Sequence, residues 1–353
     1  MSGKHGIKMN RIVKYDILRI VASFSIVLLH VSASYWSVVD VHSREFLVMT
    51  VYNSLTRFAV PVFFMLSGLF LASPDRANKG IGKRVLKLVL LFYVWSAFYA
   101  FQGVAVDALR GEFLQSAWKA AAERFIFGHV HMWFLQMLCG FYILIPIARQ
   151  LCAKKETVQY YVILWAVFRY LVPCLTTVFH LDTIQARIDS LGMDILVGNF
   201  GYFLLGYYLN MTDIKKKVRW ILYAMGIGAV GLTIFLTIRD CRVSGTYVEK
   251  WFSPASLNIL VMSTAVFVCF KYGRIFDKVK RPKVWAKVSG YTFFVYMFHM
   301  FVIEKLNLVG ITTVSFPTVV SIPVLTVVTF IVSLLGAFVA DHIPGIRKIV
   351  MLH

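Results

Sequence analysis

Residues 15–36 read YDILRIVASFSIVLLHVSASYW, and this stretch decides the fold. Almost every residue from Ile20 to Val39 is apolar or small, which is typical of a helix that crosses a membrane. Two exceptions are Arg19 at its start and His30 deep inside it. In a helix the step from residue 19 to residue 30 is about 1100°, so both side chains lie on nearly one face, about 16 Å apart. Because ionisable groups are costly within a bilayer, this face predicts a functional site.

Composition places the whole chain in the membrane. The 353 residues are 59% hydrophobic and only 15% charged, as in polytopic membrane proteins. We therefore predict an all-α fold of about ten transmembrane helices. We also expect a single membrane domain over residues 1–353, with no appended soluble domain. The predicted helices are 15–38, 46–72, 83–106, 131–151, 157–179, 194–210, 219–238, 255–272, 290–309 and 318–340.

The formal net charge of +20 would favour nucleic-acid binding in a soluble protein, but its distribution indicates a membrane topology. Most Lys and Arg residues fall at alternate ends of the predicted helices, on one side of the membrane. By the positive-inside rule that side is cytoplasmic, both termini lie there, and the number of crossings is even. We expect the lipid bilayer and anionic cytosolic ligands as partners, and no nucleic acid.

The ionisable residues of the first helix have two interpretations each. Arg19 either extends to the cytoplasmic surface with Asp16 as its partner one turn away, or it faces a ligand. His30 lies several turns inside, where it either packs as a hydrogen-bonded histidine or faces a cavity as a general base. We predict the general base, because an imidazole can take a proton from a hydroxyl at neutral pH.

A basic turn precedes the third predicted helix. Lys83, Arg84 and Lys87 follow two glycines, Gly80 and Gly82, and the last two cations project together because they are three residues apart. Cations at a helix N-terminus after glycines suit an anion clamp. The same residues also satisfy the ordinary positive-inside pattern, so the charge alone leaves both interpretations open.

Three further motifs place polar groups within apolar runs. Arg57, Pro61, Ser67 and Gly68 lie in the second predicted helix, where a charge needs a partner and Gly68 allows close approach. Tyr296 and His299 share a face of the ninth. The fourth opens on His129, His131 and Trp133, but a lone H-x-H is too weak to predict a metal site, and we expect no metal.

Together these motifs resemble the membrane-bound acyltransferase family 3, which includes O-acetyltransferases of bacterial surface polysaccharides. The family's Arg and His with ten residues between them match Arg19 and His30, in a D-x-L-R context that begins at Asp16. Its R-x-x-R appears here with Lys87 as the second residue, a departure because lysine lacks the arginine fork. V-P-x-F-F-x-x-S-G matches 60–68, H-x-W-F-L matches 131–135 and Y-x-x-H matches 296–299.

The resemblance implies an enzyme of the compact standalone type in the bacterial inner membrane. It implies acetyl-coenzyme A as the cytoplasmic donor and a cell-surface glycan, or its lipid-linked precursor, as the acceptor. His30 would act as the base or as an acyl relay, and both routes stay open. On this basis we predict catalytic residues His30, Arg19, Asp16, Tyr296 and His299; donor-binding residues Lys83, Arg84, Lys87, Arg57, Ser67 and Gly68; and acceptor-binding residues His131, Trp133 and Ser34. The alternative is a transporter or exporter of a polysaccharide or small acylated metabolite, since a polar-lined helix bundle suits both.

Overall fold

The computed structural model describes residues 13–109, 114–192, 198–275 and 279–352, and within these ranges it is helical with no strand. The predicted all-α membrane fold is confirmed. The helices are α1 (Val13–Ala33), α2 (Arg44–Thr56), α3 (Ala59–Leu71), α4 (Ile81–Leu109), α5 (Leu114–Phe127), α6 (Trp133–Ile143), α7 (Ile145–Leu151), α8 (Lys155–Ala166), α9 (Val172–Val178), α10 (Asp182–Asp189), α11 (Phe200–Met211), α12 (Lys216–Ser244), α13 (Leu257–Tyr272), α14 (Pro282–Leu308), α15 (Thr318–His342) and α16 (Pro344–Val350).

Nine helical segments of the described chain are long and apolar enough to cross a membrane. The remaining predicted crossing, 194–210, corresponds to α11, which is only 12 residues long. The predicted residues before 198 lie outside the described ranges. At its start α11 lies beside the fifth crossing, where Trp165 Nε1 donates to the Gly198 carbonyl at 2.9 Å. The even number of crossings, and with it the cytoplasmic placement of both termini, stays a prediction.

The second predicted helix, 46–72, is not continuous, and this prediction is corrected. α2 ends at Thr56 and α3 begins at Ala59, although the two together make one crossing. Pro61 lacks the N–H that would bond to the carbonyl of Arg57, so the helix is interrupted there. The Arg57 guanidinium lies in this interruption, where its Nε donates to Asn53 Oδ1 at 2.6 Å and its carbon is 4.1 Å from the centre of the Phe252 ring.

The segments 107–130 and 239–254, which separate predicted helices, are also partly helical. α5 occupies much of the first, and α12 continues to Ser244 in the second. The end of α12 is held by charges, because Asp240 pairs with Arg239 at 2.6 Å and with Lys250 at 2.9 Å.

α3 and α11 approach each other backbone to backbone at two glycines. A Cβ on Gly68 would lie 1.7 Å from the Phe203 carbonyl oxygen, and one on Gly206 would lie 2.0 Å from that of Met65. The close approach expected at Gly68 is therefore present, and its neighbour is α11.

We expect Gly68→Ala to destabilise the protein by about 1–3 kcal/mol, because backbone on both sides must move to admit the methyl group. Gly140→Ala in α6 is the matched control, since nothing lies within 4 Å of a Cβ there. Thermal unfolding of the detergent-purified protein measures both variants. Equal melting temperatures for the two would contradict the close packing of α3 and α11.

α1 and α14 lie side by side and run in the same direction. Near its start α1 contacts Ser289 through Arg19, and near its end it contacts His299 through His30. The start of α1 also lies beside the end of α13, because the Lys14 amine donates to the Lys271 carbonyl at 2.7 Å. The predicted polar face of α1 is therefore turned towards α14, and this pair of helices carries the site.

Candidate functional site

A cavity of about 650 Å³, the large cavity, extends along α14 from its N-terminal turn. The cations on its wall are Arg19, Lys283, Lys287 and Arg347, together with the carboxylate of Asp341. The wall also carries apolar side chains, among them Phe63, Phe70, Phe134 and Leu138. The α14 residues that line it run from Lys283 to Tyr296, a rise of about 20 Å. The cavity therefore combines a basic end with an aromatic interior.

Arg19 is held towards this cavity. Its Nη1 donates to Ser289 Oγ at 3.3 Å and lies 4.0 Å from the buried carboxylate of Asp16. The guanidinium carbon is 5.3 Å from the centre of the Phe70 ring. Predicted residues Arg19 and Asp16 are thus paired as expected, and Arg19 lines the cavity. Ser67 lines it too.

The C-terminal part of the chain contributes to the basic end of the large cavity. Arg347 of α16 pairs with Asp341 at 3.3 Å, and Asp341 accepts a hydrogen bond from the Tyr291 hydroxyl at 2.9 Å. The Lys287 amine lies 5.4 Å from the centre of the Phe338 ring. Sequence reasoning missed Lys283, Lys287 and Arg347 as site residues, because their only signal was membership of the positive-inside pattern.

The predicted anion clamp lies on α4 and does not line the large cavity among the described residues. Lys83 and Arg84 occupy the first turn of α4 and Lys87 the next. Arg84 is near enough to act electrostatically on Arg149 of α7. Burial, together with the charges of Arg76 and Arg84, lowers the pKa of Arg149.

Arg149 holds the segment between α3 and α4 through three hydrogen bonds. Its Nε donates to the Leu71 carbonyl at 3.1 Å, and its Nη1 donates to Ala77 and Asn78 at 2.8 and 2.9 Å. These bonds connect α7 to the end of α3 and the start of α4. The basic turn is therefore fixed in place without lining the cavity.

Four histidines gather beyond Tyr296. The ring centres of His30 and His299 are 5.1 Å apart, those of His131 and His299 are 5.3 Å apart, and those of His30 and His131 are 6.5 Å apart. His129 adjoins His131 at 5.0 Å. These four side chains form the histidine cluster. Three of them, His30, His131 and His299, are predicted site residues, and they come from three separate segments.

Tyr296 connects the histidine cluster to the large cavity. It lines the cavity, its hydroxyl donates to the His131 carbonyl, and its ring centre is 6.0 Å from that of His299. The predicted Tyr296 and His299 pair is therefore at the inner end of the cavity. His30 lies one ring further, against His299.

Backbone carbonyls determine where the protons of two rings lie. His299 Nδ1 is 2.7 Å from the Tyr296 carbonyl, and His131 Nε2 is 3.3 Å from the Met297 carbonyl. Because a carbonyl only accepts, each of these nitrogens carries a proton. A neutral His299 then has a lone pair on Nε2, which is buried and has no hydrogen-bond partner in the described chain. This nitrogen is an available proton acceptor beside His30.

His129 bridges His131 and Glu304. Its Nδ1 is 2.9 Å from His131 Nδ1, and its Nε2 is 2.8 Å from Glu304 Oε1. Imidazole nitrogens can donate or accept, so the three side chains form one hydrogen-bonded chain. Sequence reasoning missed Glu304, which is 175 residues from His129.

Other predicted residues lie around this centre. Ser34 donates to the His30 carbonyl at 2.7 Å, and Trp133 is 40% exposed at the start of α6. Arg57 lies between α2 and α3, from where its charge acts on His30, and does not line the large cavity. Gly68 packs against α11.

Within the described ranges, no group of three or more His, Cys, Asp and Glu side chains is arranged to hold a metal ion. The hydrogen bonds above account for this in the histidine cluster. His131 Nε2 and His299 Nδ1 are directed at carbonyls, and His131 Nδ1 is in contact with His129 Nδ1, so these three nitrogens are already engaged.

Comparison with known proteins agrees with this geometry. A family model described as an acyltransferase domain, acyltransferase family 3, matches residues 12–339. The chain belongs to this family. A relative from Bacillus subtilis strain 168, named "Putative membrane-bound acyltransferase YfiQ", is 23% identical over 315 residues, which cover 80% of this chain and 79% of the relative. No solved structure matches. The chain is thus a multi-pass membrane protein of an acyltransferase family.

Proposed function

We propose that this protein is an O-acyltransferase of the bacterial inner membrane. It moves an acetyl group from acetyl-coenzyme A, taken from the cytoplasm, to a hydroxyl of a cell-surface glycan or its lipid-linked precursor. The observation that carries the proposal is the large cavity itself. It has a basic end with four cations, and its inner end at Tyr296 adjoins the histidine cluster that contains His30.

The basic end suits the phosphates of coenzyme A. Lys283 and Lys287 are exposed there, and Arg347 and Arg19 share the same wall. Charge-assisted hydrogen bonds to phosphate are the strong ones in proteins, and among the described residues of this wall Asp341 alone is acidic. We assign donor-phosphate binding to these residues, in addition to the predicted Arg84 and Lys87 on the neighbouring helix.

The apolar interior suits the pantetheine arm. Phe63, Phe70 and Phe134 offer aromatic faces along the large cavity, and Ser67 and Ser289 are the small polar groups between them. A thioester at the end of the arm then reaches Tyr296, about 20 Å along α14 from Lys283. The acyl carbon is thereby delivered to the rings of His299 and His30.

The histidine cluster supplies the acid–base chemistry. The acceptor hydroxyl loses its proton to an imidazole, its oxygen bonds to the acyl carbon, and the carbon–sulfur bond breaks. The proton then passes to the departing thiolate, so coenzyme A leaves as a thiol. His30 serves either as this base or as the group that takes the acyl first, in which case the acceptor breaks an acyl–imidazole bond. The bare Nε2 of His299 is a second proton acceptor in the cluster, on a ring whose centre is 5.1 Å from that of His30.

Inverted membrane vesicles supplied with acetyl-labelled acetyl-coenzyme A test this function. We expect label in alkali-labile esters of envelope glycans or glycolipids only when the protein is present, with one free thiol released per ester. A transporter would instead accumulate unchanged labelled compound inside the vesicles. Accumulation without new ester would contradict the proposal.

A further inference from the structure

A second cavity of about 340 Å³, the small cavity, lies on the other side of the histidine cluster. It is formed by the far ends of α4 and α14 and by α5, and it contains none of the lysines that line the large cavity. Its polar lining residues are Tyr35, Gln102, Arg124, His129, Glu304 and Asn307. The wall of the small cavity therefore presents both hydrogen-bond donors and acceptors.

We propose that the small cavity binds the acceptor, and that the group it takes is a hydroxyl-rich ring of the sugar type. This inference rests on the proposed acyl transfer and adds the place and the residues of acceptor binding. Amides, a guanidinium, a carboxylate and a tyrosine hydroxyl together match the mixed donors and acceptors of a polyol. A nucleotide would need several cations, whereas Arg124 is the one lysine or arginine among the described residues that line the small cavity.

The absence of a side chain at Gly103 leaves the space that the Arg124 guanidinium fills. Arg124 Nη1 lies 1.7 Å from where a Cβ on Gly103 would be. No hydrogen bond or ion pair joins the guanidinium to a side chain or carbonyl in the described part of the protein. A guanidinium held on a cavity wall in this way has its donors available to ligand oxygens.

His129 links the small cavity to the reaction centre. It lines the cavity, and its Nδ1 is 2.9 Å from His131 Nδ1. The His131 carbonyl accepts from Tyr296, which lines the large cavity. One layer of side chains, from His129 through His131 to Tyr296, therefore separates the two cavities. An acceptor hydroxyl at His129 and a thioester at Tyr296 are therefore on opposite sides of this layer, so transfer requires these side chains to move apart or the acyl group to pass through the histidine cluster.

Gly103→Ala tests the inference, because the added methyl group displaces only the end of a flexible arginine and need not disturb the fold. The assay uses acetyl-labelled acetyl-coenzyme A with a detergent extract of envelope glycans as the acceptor. We expect the KM for the extract to rise about tenfold, as for loss of one charged hydrogen bond, with the KM for acetyl-coenzyme A unchanged. Gly140→Ala is the matched control, and we expect it to change neither constant.

A second variant keeps the inference testable if the displaced arginine finds another position. Asn307 lines the small cavity, whereas Val309 lies two residues further along the chain and does not. The two variants to compare are Asn307→Cys and Val309→Cys. A bulky thiosulfonate should lower transfer at least tenfold in the first variant relative to its unmodified form, and less than twofold in the second. The treated parent protein controls for the five native cysteines.

Three results would overturn the inference. Unchanged KM for the extract in Gly103→Ala together with full transfer by modified Asn307→Cys would exclude the small cavity while leaving acyl transfer intact. Label recovered on phospholipid headgroups instead of sugars would contradict the proposed acceptor class. Absence of any transfer by the parent protein would contradict the proposed function itself, and the inference with it.

Discussion

His30→Ala lowers acyl transfer by about 10²- to 10⁴-fold, the range expected for loss of a general acid–base group. The affinity for acetyl-coenzyme A stays within about twofold, because the cations that we propose to contact its phosphates lie at the other end of the large cavity. The physical reason is the position of the ring, 5.1 Å from His299 and 6.5 Å from His131, beyond the inner end of the cavity. Initial rates and equilibrium binding on the same detergent preparation measure the two quantities.

His42→Ala is the matched control for this prediction. His42 is exposed in the loop after α1, and its backbone N–H, not its ring, donates to Asp40 Oδ1 at 2.8 Å. We expect it to keep both rate and affinity. If His30→Ala transfers acetyl groups at the parent rate, the assignment of His30 is wrong. Labelled protein after incubation with donor alone would favour the acyl relay, provided that the label is absent from His30→Ala.

Lys283→Gln combined with Lys287→Gln weakens acetyl-coenzyme A binding by about 10- to 100-fold, the cost of losing one or two hydrogen bonds between charged groups. Both lysines lie on the wall of the large cavity, in the first two turns of α14. The loss is largest at low ionic strength, because salt screens the attraction that the parent protein retains. The maximal transfer rate at saturating donor falls much less, since the histidine cluster is untouched.

Two other double variants make this result specific. Lys216→Gln with Lys217→Gln removes the same charge from exposed positions at the start of α12, and we expect donor affinity to change less than twofold. Arg84→Gln with Lys87→Gln tests the clamp that the family resemblance implied. A larger loss for the Arg84 and Lys87 pair than for the Lys283 and Lys287 pair would show that the phosphates bind at α4, outside the large cavity.

Local patterns in the sequence predicted the parts of this site that lie on one helix. Arg19 and His30 share a face of α1 because of their spacing, and Tyr296 and His299 share a face of α14 for the same reason. The apolar runs likewise predicted segments that overlap the nine candidate crossings of the described chain, although the fourth crossing is Trp118–Ile143 and the predicted helix was 131–151. Helical periodicity and hydropathy act over a few turns, so they can be read without knowledge of the tertiary packing.

Contacts between distant segments could not be predicted in this way. Arg347 reaches the large cavity only because α16 folds back after α15, and Glu304 meets His129 across 175 residues. The interruption at Arg57 was missed because the run 46–72 is mostly apolar and predicts one helix, although Arg57 and Pro61 were visible signals. The basic residues of α4 and α14 look alike in sequence, and only packing distinguishes those that line the cavity.

The central claim is that the donor occupies the large cavity with its thioester at the histidine cluster. An electron cryo-microscopy map of the full-length protein with a non-hydrolysable acetyl-coenzyme A analogue tests it most directly. We predict density for the phosphates between Lys283, Lys287 and Arg347, and for the arm past Ser289 to Tyr296. An occupied site on α4 beside Arg84 with an empty large cavity would contradict the account.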